Sequence, residues 1–416
     1  MQRDFLEIWL MPNYTTHSSL SEEHIERLEN ELKLKIKLTF VSWSKALKEL
    51  YTSFKNDNPP DVFQMGTTWI TTMSHMGYIE KVPDYFKQKQ FLANWIIEDS
   101  IHNGIMMAVP WLVESGMIIA RKDITKELGI TSSDIRTLEG FRNVCDNIYN
   151  AHVQSKDIIP LPYAFSLRNE PGKLHHLIPW FWTSGFEIPD LFNMPEVPFN
   201  IKHIEPSFEY IRSLFVTSHF SKEDASTHRN IVNDWFYRDG KYVFTIDHWY
   251  NVILGIVNES KTNVSTNYLW EIFEMPSGIH GPTPKGSGSM LGVSSISEHK
   301  EKAWHAIEYL TSETYMADRT NLCGELPSFQ NNFWKTYSDH PQISSILKQI
   351  KLAKTYPKHP LWTSFERVLN DGLTKLLWYY IYEEKSLNDM SYIIDGMNIK
   401  FRELSSLAWE LTINER

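Results

Sequence analysis

Asp61, Glu114 and Asp247 each stand within three residues of an aromatic side chain, Phe63, Trp111 and Trp249 respectively. Two carboxylates beside an apolar surface are what glycoside hydrolysis requires. No spacing singles out a pair among the three, and a carboxylate can also accept hydrogen bonds from sugar hydroxyls with no reaction following. The sequence has no Gly-x-Ser-x-Gly elbow and no Cys/His set with a recognisable local signature. It therefore reads as a binder without catalytic residues, not as an enzyme. Gly66-Thr67-Thr68-Trp69 suits that reading, because it puts a glycine, two hydroxyls and an indole where a strand gives way to a helix. In open α/β sheets, ligands lie just outside the carboxyl ends of strands. The CH faces of a sugar can stack on indole while its hydroxyls find polar partners. Asp247-His248-Trp249 repeats the pattern at the end of the strand-like Tyr242-Val243-Phe244-Thr245-Ile246.

Composition excludes several other chemistries. Cys145 and Cys323 lie far apart without metal-ligand spacing and are expected to be two reduced, buried thiols. His175-His176 has no His-x-x-x-His or Cys-x-x-Cys partner, so neither a metal nor another cofactor is expected. A net charge of −10 with no long basic run argues against a surface that neutralises nucleic-acid phosphates. No run of about 18 apolar residues is present to span a membrane. The aromatic content is unusual, with 15 Trp, 19 Tyr and 22 Phe making up 13% of the chain. Such a store of flat faces serves sugar recognition or fills large cores. Its length of 416 residues exceeds one comfortable core, so two lobes are expected.

The elements that must position these residues follow in order. Phe5-Leu6-Glu7-Ile8-Trp9-Leu10 alternates as a first strand. Ser21 caps a helix whose Ile25, Leu28 and Leu32 share a face. Ile36 to Val41 is a second strand, Lys45 to Phe54 a second helix, and Asp61 to Met65 a third strand leading into the Gly66–Trp69 loop and a third helix. Alternating strands and helices predict a parallel, helix-covered sheet. Two consecutive strands are expected over 104–111 and 112–123, with Trp111 and Glu114 at their junction. Thr137 is a plausible cap for the next helix, and His175 to Thr183 reads as a helix carrying Trp180 and Trp182. Trp270 to Met275 is a strand, Ser277 to Gly288 a Gly/Pro/Ser-rich loop, and Glu298 to Thr311 an amphipathic helix. The remainder is mostly helical.

Several blocks in this order resemble the family 1 extracellular solute-binding proteins, the sugar-binding components of ABC importers. They are Pro59-Pro60-Asp61-Val62-Phe63-Gln64-Met65-Gly66, Gly77-Tyr78-Ile79-Glu80, Ala108-Val109-Pro110-Trp111 with Arg121-Lys122-Asp123, and Phe236-Tyr237-Arg238-Asp239-Gly240-Lys241. Ala303-Trp304-His305-Ala306-Ile307-Glu308-Tyr309-Leu310-Thr311-Ser312 and Gly324-Glu325-Leu326-Pro327 complete the set, which spans about 270 residues. The resemblance implies a two-lobe periplasmic-binding-protein-like α/β fold, each lobe a mainly parallel sheet flanked by helices, with ligand in the cleft. Residues 1–112 plus 262–310 would form the N-terminal lobe, and 113–261 plus 311–416 the C-terminal lobe. Carried over by position, the family's contacts fall on Trp9, Asn13, Trp43, Gly66, Thr67, Thr68, Trp69, Trp111, Glu114, Trp180 and Trp182. They continue with Asp247, His248, Trp249, Ser287, Gly288 and Glu325.

The expectation is thus a hinge-closing monomer that takes a sugar and hands it to the permease subunits of an ABC importer. Trp69, Trp111 and Trp249 would stack on sugar rings, while Thr67, Thr68, Glu114 and Asp247 meet hydroxyls. Met1-Gln2-Arg3-Asp4 leads into a strand without the apolar core of a signal peptide. The chain is expected in the periplasm or lipid-anchored at the cell surface if a leader was removed. It is expected in the cytoplasm if residue 1 is the native start or follows a regulatory domain. In that case the same fold would serve as the ligand-sensing module of a regulator. A carbohydrate-active enzyme is the third class.

Overall fold

The computed structural model describes residues 3–12, 22–170, 172–188, 200–257 and 269–414. Asn13 and the cap expected at Ser21 lie outside the described residues. Three strands, β1 (Phe5–Leu10), β2 (Lys35–Phe40) and β3 (Val62–Gly66), run parallel with β1 in the middle. The Glu22–Leu32 and Trp43–Lys55 helices connect them, as the alternation of patterns requires. Leu6, Ile8 and Leu10 are fully buried against Leu28 and Leu32 on one face of the sheet. Phe63 and Met65 join Ala46, Leu50 and Phe54 on the other. A short hairpin, β4 (Ile101–His102) and β5 (Ile105–Met106), turns at Asn103-Gly104, both with positive φ as a tight hairpin demands.

The chain then changes sheets. The strands β6 (Val109–Ser115) and β7 (Met117–Arg121) are separated only by Gly116, so the break falls after Glu114 and not between Trp111 and Glu114. β6 belongs to the first sheet; β7 belongs to a second one with β8 (Leu161–Ala164), β9 (Tyr242–Asp247) and β10 (Trp270–Phe273), in the order β10-β7-β9-β8. β11 (Gly286–Val293) and β12 (Leu326–Pro327) return to the first sheet, whose order is β12-β6-β11-β3-β1-β2. Both sheets are mainly parallel, as expected: β1, β2, β3 and β6 share one direction in the first, against β11 and β12, and β8, β9 and β10 share one direction in the second, against β7. β7 enters its sheet straight from β6 with no helical crossover, so nothing forces the parallel sense. The expected boundary at 262 lies outside the described residues. Trp270–Phe273 pairs with β7, while Tyr315, Met316 and β12 pack in the first-sheet core.

Helices cover both sheets, and the long C-terminal pair, Trp362–Tyr382 and Ser391–Asn414, packs together in the larger core of the second. No helix among the described residues is long and apolar enough to cross a membrane. Cys145 and Cys323 are both buried thiols, and burial pushes the Cys145 pKa up. Thr137 caps the Leu138–Gln154 helix, its Oγ1 accepting from the Gly140 amide at 3.0 Å. Thr137→Ala should therefore cost about 1 kcal/mol in denaturant unfolding, the usual worth of such a cap. An unchanged midpoint would mean water replaces it.

Candidate functional site

The carboxyl end of β3 opens a groove. Gly66 is followed by a single turn at Thr67–Trp69 and then the Ile70–His75 helix, so Thr67, Thr68 and Thr71 present their hydroxyls on one edge. Asp99 ends a short helix beside them, and Gly286 begins β11. The far wall is Thr355-Tyr356-Pro357-Lys358-His359, the connection into the Trp362–Tyr382 helix of the second body. Thr72 Oγ1 donates to the Pro360 carbonyl at 2.7 Å, and Thr355 Oγ1 to Asp99 at 3.4 Å, tying the two walls together.

Behind this groove lies a polar cluster fed by both sheets. Glu114 on β6 accepts from the Tyr250 hydroxyl and faces His248 Nε2 at 3.6 Å, so the first sheet meets the end of β9. Asp247 accepts from Asn233 at 3.3 Å and Tyr237 at 3.2 Å. Tyr356 lies 3.1 Å from His175 Nδ1, and His175 Nε2 lies 3.4 Å from Glu366. These contacts fit one tautomer, in which Tyr356 donates to Nδ1 and Nε2–H donates to the carboxylate. Burial, and next the charge of Lys285, push the pKa of His175 well below its usual range, so it stays neutral. His176 is also held neutral by burial and by Arg229, which donates to its Nε2 at 2.5 Å. Burial raises Glu366 to about 7 and Asp99 to about 6, each tempered by nearby lysine charge. Behind the wall Trp182 meets Tyr356 edge to face at 5.7 Å between centroids, and Trp362 lies tilted against Tyr356 at 4.8 Å.

The expected contact residues divide three ways. Thr67 and Thr68 line the groove, and Glu114, Asp247, His248 and Trp182 lie in or against the cluster behind it. Ser287 is half-buried opposite Glu114 on the neighbouring strand. Gly288 has a φ of +154°, and a Cβ there would stand 2.1 Å from the Leu112 carbonyl, so its role is close strand approach. Trp9, Trp43 and Trp69 are half-buried around the β3 exit: Trp43 and Trp69 meet edge to face at 5.7 Å over Gly66, and Trp9 donates to Glu7.

Four residues are corrected outright. Trp111 is fully buried in the first core, its Nε1 donating to the Leu310 carbonyl at 2.9 Å and Arg319 covering its ring. The cause is a β-bulge: Ser289 pairs with Leu112 but Met290 with Pro110, leaving Trp111 as the extra residue and resetting the alternation. Trp180 is stacked on Phe141 and donates to Tyr163. Trp249 is fully buried and starts the next helix, its carbonyl accepting from Val252 and Ile253. Glu325 is buried in an ion pair with Arg319.

Sequence reasoning missed Asp99, Lys285, Tyr356 and Glu366. The 355–359 wall sits in a stretch read as mostly helical. Its signal was the pair of prolines directly after Tyr356, Pro357 and Pro360, which break helix and hold an extended polar loop.

Comparison with known proteins gives three findings. Residues 15–172 match the family model described as bacterial extracellular solute-binding protein. Over 128 residues, 30% of this chain, the sequence is 23% identical to the diacetylchitobiose binding protein DasA of Streptomyces coelicolor; the match spans only 29% of that relative. The fold is similar to that of maltose-bound T. maritima MalE3, with a TM-score of 0.78 at 17% identity over 96% of this chain and 99% of the other. It is also similar to a Thermus thermophilus maltotriose binding protein bound with maltotriose, with a TM-score of 0.73 at 14% identity over 96% and 99%.

Proposed function

We propose, for a chain whose residues 15–172 carry the signature of the bacterial extracellular solute-binding proteins, that it binds a carbohydrate between its two sheets and delivers it to an ABC-type permease. The observation that carries this reading is the groove itself. One wall is a row of threonine hydroxyls at a strand exit, and the other a tyrosine-bearing loop of the second body. A sugar asks for that combination, hydrogen-bonding groups of both senses on two facing walls. The relatives' names agree with it: DasA is a diacetylchitobiose binder, and MalE3 was solved with maltose. Binding proceeds without chemistry, since Glu114 and Asp247 are each engaged by neighbouring side chains of their own.

The two walls come from different bodies, so ligand closes one on the other and release reopens them by a hinge. The crossings at Gly116 and between β10 and β11 are where that hinge acts. The protein works outside the cytoplasm, as a monomer that docks transiently on the permease. Titration calorimetry against glucose, galactose, maltose, maltotriose, cellobiose and diacetylchitobiose tests the reading. Micromolar or tighter binding of at least one is expected. No heat from any of them, at protein concentrations where such binding would register, overturns it.

A further inference from the structure

Lys285 immediately precedes Gly286 of the groove, and only 4% of it is exposed. Among the described residues its ammonium has no hydrogen bond and no ion pair within 4.0 Å. Its neighbour is the face of Tyr356, with Nζ 5.1 Å from the ring centroid. Three carboxylates approach from three elements, Glu366, Glu114 and Asp99, near enough to act on its charge. Each is engaged elsewhere: Glu366 with His175, Glu114 with Tyr250 and His248, and Asp99 with Thr355 and Lys358. The stem is buried but the ammonium keeps a small accessible surface, so its three donors can meet an incoming acceptor, whereas the acceptors of the chain around it are already in use. The missing partner is an acceptor that the chain itself does not supply.

The charge of that partner follows from the same count. One ammonium already faces three carboxylates, so an anionic guest would add a fourth negative charge in a poorly solvated space. A hydroxyl or ring oxygen meets the N–H groups without that penalty. We propose that Lys285 grips the ligand from the floor of the groove by donating to oxygens of an uncharged saccharide, and that Glu366, Glu114 and Asp99 exclude acidic sugars. This rests on the reading of the groove as a sugar site and names the class of sugar.

Burial lowers the Lys285 pKa to about 8, against the pull of Glu366, Glu114 and Asp99. Ligand oxygens favour the ammonium, so the bound pKa lies above the free one. The lysine's contribution to affinity is then level below pH 8 and falls as pH rises through it, by up to about tenfold per unit. The groups facing Lys285 titrate elsewhere: Glu366 near 7, Asp99 near 6, His175 well below its usual range, and Tyr356 well above its own. The window from pH 8 to 9 therefore isolates the lysine.

Calorimetry of the full chain with whichever neutral sugar of the panel binds best, and with its uronic-acid counterpart, tests this. Lys285→Met keeps the buried stem and should hold its melting temperature. It should bind the neutral sugar roughly tenfold to a hundredfold more weakly, the worth of charge-assisted hydrogen bonds, and lose the alkaline fall. Lys285→Gln, which keeps a donor, should lose less. Wild type should prefer the neutral sugar to the uronate by more than about tenfold. Equal affinity of Lys285→Met and wild type, or a uronate bound as tightly as the neutral sugar, overturns the inference while leaving a sugar site standing. If wild type binds no sugar at all, the sugar site fails and this inference fails with it.

Discussion

Trp111→Ala should lower the unfolding free energy of the first body by about 3–5 kcal/mol and leave the sugar affinity of the folded fraction unchanged. The ring is fully buried among Val109, Leu112, Leu310 and Tyr315, and it lies under the Arg319 guanidinium at 4.4 Å. Truncation opens a large cavity, orphans the Leu310 carbonyl that now accepts from Nε1, and strips the cation of its aromatic cover. None of these losses touches the groove, whose walls are Thr67, Thr68, Thr71, Asp99, Gly286 and 355–359. Urea unfolding followed by tryptophan fluorescence reads the first quantity, and calorimetry at a temperature where the variant is folded reads the second. The two bodies need not melt together, so the earlier transition is the one to fit. A variant of wild-type stability that binds several kcal/mol more weakly would return Trp111 to the cleft.

That outcome separates what was legible in the residues from what was not. Strand, helix and loop over the first 80 residues follow from local pattern, because each strand alternates or is continuously apolar and each helix carries a stripe. The β3 exit was legible for the same reason, and Thr67 and Thr68 do line the groove. Side-chain direction within β6 was not, since one extra residue at Trp111 reverses which face each later position takes, and only the pairing with β11 reveals it. Trp249 was misplaced because a strand end and a helix start share its position, and the helix turns the ring inward. Lys285 was invisible because a lysine in a Gly/Pro/Ser-rich stretch reads as solvated loop. Its burial comes from Tyr356 and Glu366, more than 70 residues away, which no local rule connects to it.

Glu325→Ala should be the most damaging single change at a charged position, costing about 3–5 kcal/mol, as removal of one partner of a buried ion pair does. Arg319 and Glu325 keep 1% and 2% of their side-chain surface exposed, so alanine at 325 leaves a buried guanidinium without this carboxylate. The pair also fixes a turn. Gly324 between them has φ +68°, and a Cβ there would stand 2.2 Å from the Tyr250 carbonyl, so the chain passes directly against the start of the Tyr250–Val257 helix. Tyr250 in turn donates to Glu114. Loosening the pair therefore frees the strap that holds Tyr250 on Glu114, and sugar affinity should fall along with stability, unlike in Trp111→Ala. The double variant Arg319→Met with Glu325→Leu removes both charges, and should recover most of the stability because the desolvation cost goes with them. Thermal melts of the two single variants and the double decide the matter. A double variant less stable than either single would mean that the charges are worth more than their desolvation costs, and that the pair stabilises the fold beyond holding the turn.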